Sequence, residues 1–144
     1  MFKRILYPTD FSDVSMRALD YIKTLRETGA EAVILLHVVD RRSLQAIEQY
    51  ASVQSIQLER EIMEDANEKL ISIEKDLKQA GFKVKTRLEI GTPAMEILRI
   101  EEEEDVSVVV IGSHGKGNLE EMFMGSVSEK VVRKCKRPVL VIKR

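Results

Sequence analysis

The sequence predicts an α/β fold built on an open five-stranded parallel sheet with helices on both faces. Two runs rich in β-branched residues, AVILLHVVD at 32–40 and VSVVVIGS at 106–113, read as strands covered on both sides. Stretches whose apolar residues recur every three or four positions lie between and around them. The resulting order is strand and helix in strict alternation, ending on a strand. That order requires right-handed crossovers and a parallel sheet.

The elements follow in turn. Ile5 to Tyr7 form a short apolar strand that Pro8 stops. Ser12 or Asp13 can cap the next helix, whose apolar face is Ala18, Leu19, Ile22 and Leu25, with Gly29 at its C′ position. After the strand at 32–40, residues 41–56 are polar and poorly periodic and read as a loop or weak helix. From about Leu58 a helical stripe appears (Ile62, Ala66, Leu70, Ile73, Leu77), with a solvated charged face, and Gly81 ends it. FKVKTRLEI alternates strictly and reads as a half-exposed edge strand. Thr92 and Pro93 start the next helix, with proline at the first helical position. Its acidic end, Glu101 to Asp105, reads as a solvated helix terminus. A helix from about Ser126 to Lys136 and the strand PVLVIKR complete the chain.

Composition narrows the function classes. The 144 residues suit one domain spanning 1–144, and a net charge of −1 with 33% charged residues lacks the basic footprint of a nucleic-acid binder. No apolar run approaches the ~20 residues of a membrane span, and no signal-peptide pattern opens the chain. With a single cysteine, Cys135, no internal disulfide forms. A soluble, cytoplasmic protein is expected.

In open α/β sheets ligands bind beyond the carboxyl ends of the strands. Three segments leave strands there: PTD at 8–10, HVVD at 37–40 and GSHG at 112–115. The last opens the glycine-rich stretch GSHGKGNLEEMFMGS, which leads into the helix at Ser126. Ser126 and Glu129 have capping-box spacing, and a helix N-terminus with free N–H groups suits phosphate. A capped helix behind a flexible loop explains the same residues. Neither the P-loop nor the dinucleotide-binding glycine pattern is present.

The stretch resembles the ATP-binding branch of the universal stress protein family. Gly112 and Gly115, the nine residues Lys116 to Met124, then Gly125 and Ser126 fit that branch's glycine spacing without a gap. ILYPTDFS, ILLHVVD and RPVLVIKR are also similar to the family's segments, so the resemblance spans the chain. It implies a Rossmann-like sheet of order 3-2-1-4-5, a homodimer, and an adenine nucleotide at the strand ends. By the resemblance, Asp10 would contact adenine or ribose, Pro8 and Thr9 would line the base pocket, and Val38 would pack near the adenine. Gly112, His114 and Gly115 would lie near ribose and phosphates. Gly125, Ser126, Val127 and Ser128 would offer N–H and hydroxyl groups to the phosphates. ATP is the expected ligand, with Mg²⁺ or Mn²⁺ held by the phosphate oxygens.

Other residues read more plainly. His114 is a polar loop contact rather than a catalytic base, and His37 a satisfied core histidine. Lys116 either screens phosphate or faces solvent. Met122 to Met124 read as an apolar anchor for the loop, and Cys135 as packing. The edge strand Pro138–Lys143 is apolar on both faces, so antiparallel pairing with a second copy is expected. The expected function is a nucleotide-dependent homodimeric switch in stress response, acting on an unknown protein partner and not an enzyme. A slow ATPase using Asp10 or His114, and a nucleotide-independent chaperone-like dimer, are the rivals.

Overall fold

The computed structural model describes residues 1–49, 53–113 and 125–144. Five strands, β1 (Arg4–Pro8), β2 (Ala32–Asp40), β3 (Lys83–Gly91), β4 (Val108–Gly112) and β5 (Val139–Ile142), form one sheet of order β3-β2-β1-β4-β5. Every neighbouring pair is parallel. The helices are α1 (Asp13–Leu25), α2 (Arg41–Glu48), α3 (Val53–Gln79), α4 (Pro93–Glu103) and α5 (Ser126–Lys134).

Side-chain alternation along the strands splits the core in two. Ile5, Tyr7, Val33 and Leu35 point to the face covered by α1 and α3, where they meet Ala18, Ile22, Leu70, Ile73 and Leu77. Leu6, Ile34 and Leu36 point the other way, onto Ala94, Ile97 and Ile100 of α4 and Val131 of α5. β1, β2 and β4 are buried on both sides, as their unbroken apolar runs require. β3 lies at an edge and is half-exposed, as its alternation implies.

Several local expectations are corrected. Of the two readings of 41–56, loop or weak helix, the helix holds for Arg41–Glu48, where the Asp40 carboxylate accepts a hydrogen bond from the Arg42 amide and caps it. α3 begins at Val53 rather than Leu58. A 3₁₀ turn, Arg26–Thr28, separates α1 from Gly29, whose φ of 105° closes that turn. α5 ends at Lys134 rather than Lys136.

The acidic run at the end of α4 is solvated only in part: Glu102, Glu103 and Asp105 are exposed, but Glu101 and Glu104 are not. Glu101 is 1% exposed and Glu104 7%. Oε1 of Glu101 accepts from the Lys136 amide at 2.9 Å and faces Arg137 at 3.4 Å. Glu104 accepts from Lys85 and Arg87 of β3 and from Arg4 of β1. Cations gathered from two strands and the α5–β5 turn make these burials tolerable.

Candidate nucleotide cleft

The carboxyl ends of β1, β2 and β4 open into a cleft of about 880 Å³. Small-molecule sites typically span about 300–1,000 Å³. Pro8, Thr9, Asp10, Val38, Gly112, Gly125, Ser126, Val127 and Ser128 all line it. His114 and Gly115, like Lys116 and Met122 to Met124, lie outside the described residues.

The β1–α1 turn is fixed from several sides. Thr9 donates its amide to the Leu36 carbonyl at 2.8 Å, and its own carbonyl accepts from Nδ1 of His37 at 2.7 Å. Its hydroxyl shares a 2.6 Å hydrogen bond with Ser15 and accepts from the Phe11 amide at 3.0 Å. Thr9 is 5% exposed, so its polar atoms hold the turn rather than face a ligand. Asp10 receives the Ser12 amide on Oδ1, and Ser12 in turn caps α1 by accepting from the Ser15 amide. Phe11 carries a φ of 65°, costly for an aromatic residue, and the hydrogen bonds on either side hold it there. Its ring lies 4.4 Å from the His37 ring centroid, with the Lys69 ammonium 5.3 Å above it.

Below the turn, Tyr7 donates its hydroxyl to the Ser15 carbonyl at 2.5 Å, and burial pushes the phenol up to about 12. It stays a neutral donor that pins the first turn of α1.

At the other end of the cleft stands α5. Gly125, not Ser126, is its N-cap, and as a glycine it brings no capping side chain. The capping box is therefore a correction: Ser126 already occupies the first helical turn and is exposed. The Gly125 amide donates to the Ser113 carbonyl at 2.5 Å, so it is not available to a ligand. The Ser128 hydroxyl donates to the same carbonyl at 2.8 Å and lies 3.0 Å from the Gly125 carbonyl. That hydroxyl is committed inside the protein. What remains are the amides of Ser126, Val127 and Ser128, which have no hydrogen-bond partner among the described residues.

Gly112 also has a different reason to be glycine. A Cβ there would lie 3.1 Å from the Ser15 amide nitrogen and 3.1 Å from a Val14 methyl. The missing side chain lets β4 approach the start of α1.

Sequence reasoning missed the wall formed by α2 and α3. Arg42 lines the cleft while forked onto Asp40, and Lys69 lines it while paired with Asp65 at 3.1 Å. For α2 the sequence left loop and weak helix both open, and Lys69 read as part of a solvated face. The cap at Asp40, two residues before an arginine, was the available signal.

The sequence matches the profile of the Universal stress protein family over residues 1–143. The chain belongs to this family. It is 40% identical over 156 residues to universal stress protein MJ0577 of Methanocaldococcus jannaschii, covering 100% of this chain and 96% of that protein. The solved structure of MJ0577 superposes with a TM-score of 0.89 at 44% identity, over 100% of this chain and 97% of that one. A universal stress protein in complex with cAMP (TM-score 0.65, 22% identity, covering 99% of this chain and 97% of that one) shares the fold. One from Archaeoglobus fulgidus in complex with dAMP does likewise (TM-score 0.65, 21% identity, covering 99% and 98%). The order β3-β2-β1-β4-β5 is thus the fold of a universal stress protein. Among the described residues, no helix is long and apolar enough to cross a membrane.

Proposed function

We propose that this universal stress protein binds ATP in the cleft and acts as a nucleotide-dependent homodimeric switch, in the cytoplasm, on a protein partner. The observation that carries the reading is the pairing of two unlike ends in one cleft. Pro8, Asp10 and Val38 offer an apolar floor and a carboxylate for a base and ribose, while three amides without a partner among the described residues head α5. Those amides and the helix dipole suit a polyphosphate. Two remote relatives hold adenine nucleotides on the same fold, and at their identity they speak to the fold alone.

Among the described residues no group of three His, Cys, Asp or Glu side chains could hold a metal ion. Mg²⁺ or Mn²⁺ would therefore arrive with the nucleotide and rest on phosphate oxygens. Binding rather than turnover is favoured because the hydroxyls of Thr9, Ser15 and Ser128 are tied into internal hydrogen bonds. β5 supplies the dimer edge: among the described residues it pairs with β4 alone, and Leu140 on it is 36% exposed.

Chromatography of the supernatant from denatured protein, with calorimetric titration of ATP and Mg²⁺, tests the binding. Released adenine nucleotide or a saturable heat supports it; neither one overturns it. Turnover abolished by Asp10→Ala with binding retained would assign hydrolysis instead. A constant monomer mass in light scattering across micromolar dilution would overturn the dimer.

A further inference from the structure

We propose that Ser128 is a positioning residue for the phosphate end of the cleft, acting through the carbonyl of Ser113 rather than on the ligand. The ligand reading is the one given above; the clasp itself is independent of it.

Ser113 directly follows β4 and is wholly buried. Its carbonyl receives two donors from the head of α5, the Gly125 amide at 2.5 Å and the Ser128 hydroxyl at 2.8 Å. Its amide donates to the Ile142 carbonyl of β5 at 2.8 Å. The end of β4 is thereby tied at once to the neighbouring strand and to the first turn of α5. Among the described residues no other side chain bonds the backbone of that turn, and its N-cap is a glycine without a capping bond.

In a capping box the third helical position holds a Glu or Gln that reaches back to the N-cap amide. Ser128 is 3% exposed and turns back to the sheet instead. A hydroxyl carries one proton, and here that proton faces two carbonyls. It cannot also be given to a phosphate oxygen. The direction of the three open amides of α5 then depends on this clasp, because a helix dipole helps a ligand only when aimed at it. Ser126, whose hydroxyl is exposed at the same helix end, serves as the contrasting position.

The experiment compares wild type, Ser128→Ala, Ser128→Cys and Ser126→Ala by amide hydrogen exchange without nucleotide, and by titration with ATP·Mg²⁺ and with adenosine. In Ser128→Ala, exchange at the Gly125 and Glu129 amides should quicken about threefold to tenfold in the nucleotide-free protein. ATP affinity should fall by a similar factor of about three to ten, with adenosine affinity unchanged. The weaker thiol donor of Ser128→Cys should fall between, and Ser126→Ala should leave exchange unaltered. Unchanged exchange with weakened ATP binding would place the hydroxyl on the phosphate and overturn the proposal. Unchanged exchange and unchanged binding would overturn it as well. If wild type binds neither ligand, the nucleotide reading fails while the exchange arm still decides the clasp.

Discussion

The imidazole of His37 donates from Nδ1 to the carbonyl of Thr9 across 2.7 Å, linking the middle of β2 to the turn that carries Asp10. The same ring stacks against Phe11, the residue held at a φ of 65°. The turn that forms the base end of the cleft is therefore held from the neighbouring strand. Replacing His37 by Ala should cost about 1–3 kcal/mol of stability, since the ring contact and the hydrogen bond go together. ATP and adenosine should weaken alike, because only the base end is disturbed. Urea unfolding and paired titrations check this; loss confined to ATP would contradict it.

Gly112→Ala separates a packing role from a ligand role. The added methyl meets backbone at Ser15 and a Val14 methyl, and backbone cannot swing aside. The variant should lose about 1–3 kcal/mol in chemical unfolding. Nucleotide affinity per folded molecule should stay within about threefold of wild type. A stable variant that no longer binds would show that Gly112 serves the ligand instead.

Acid should loosen the α4 face. The hydrogen bond from Lys85, then Arg87, holds the Glu104 carboxyl below the usual carboxylate range. Arg42 does the same for Asp40, and Arg99 for Glu96. Each folded-state value lies below the unfolded one, about 4.3 for glutamate. The stabilisation is therefore complete above that value and is lost as pH falls through the folded-state value. Urea midpoints should hold from pH 7 to about 5 and then drop toward pH 3. Glu104→Gln should cost about 1–3 kcal/mol at pH 7 and flatten part of the acid drop. Parallel pH profiles for the two proteins would contradict the assignment.

Cys135 should resist alkylation in the native protein. Burial first, and then its hydrogen bond to Glu101, push the thiol up to about 12. At pH 8 iodoacetamide should label the folded chain about three orders of magnitude more slowly than the unfolded one. Equal rates would place Cys135 in an open, reactive setting.

How much of this was readable beforehand follows from the reach of each signal. Period-two and period-3.6 patterns placed the strands and the main helices, because burial imposes those periods along the chain. The cleft's floor, Pro8 to Asp10 and Val38, followed from where those strands end. Partners distant in sequence left no local mark. Glu101 and Glu104 looked solvated because their cations sit on Arg4, Lys85, Arg87 and Arg137. Ser126 and Glu129 matched a capping box, yet the bond that organises the turn runs from Ser128 to Ser113. Gly112 read as an opening for ligand, and its close approach to Ser15 and Val14 of α1 left no mark in the sequence. Which strand ends open into one cleft was legible; which side chains hold the turns around it was not.

Gly125 lines the phosphate end of the cleft at a backbone position that tolerates a side chain. Its φ of −71° and ψ of 162° are open to any residue, so valine brings no backbone strain. Calorimetric titration of nucleotide-free wild type and Gly125→Val with ATP and Mg²⁺, with unfolding curves for both, tests the central claim most directly. A saturable heat in wild type, lost in a variant that still unfolds within about 1 kcal/mol of wild type, is the predicted result. Equal heats in both proteins, or none in wild type, would contradict it.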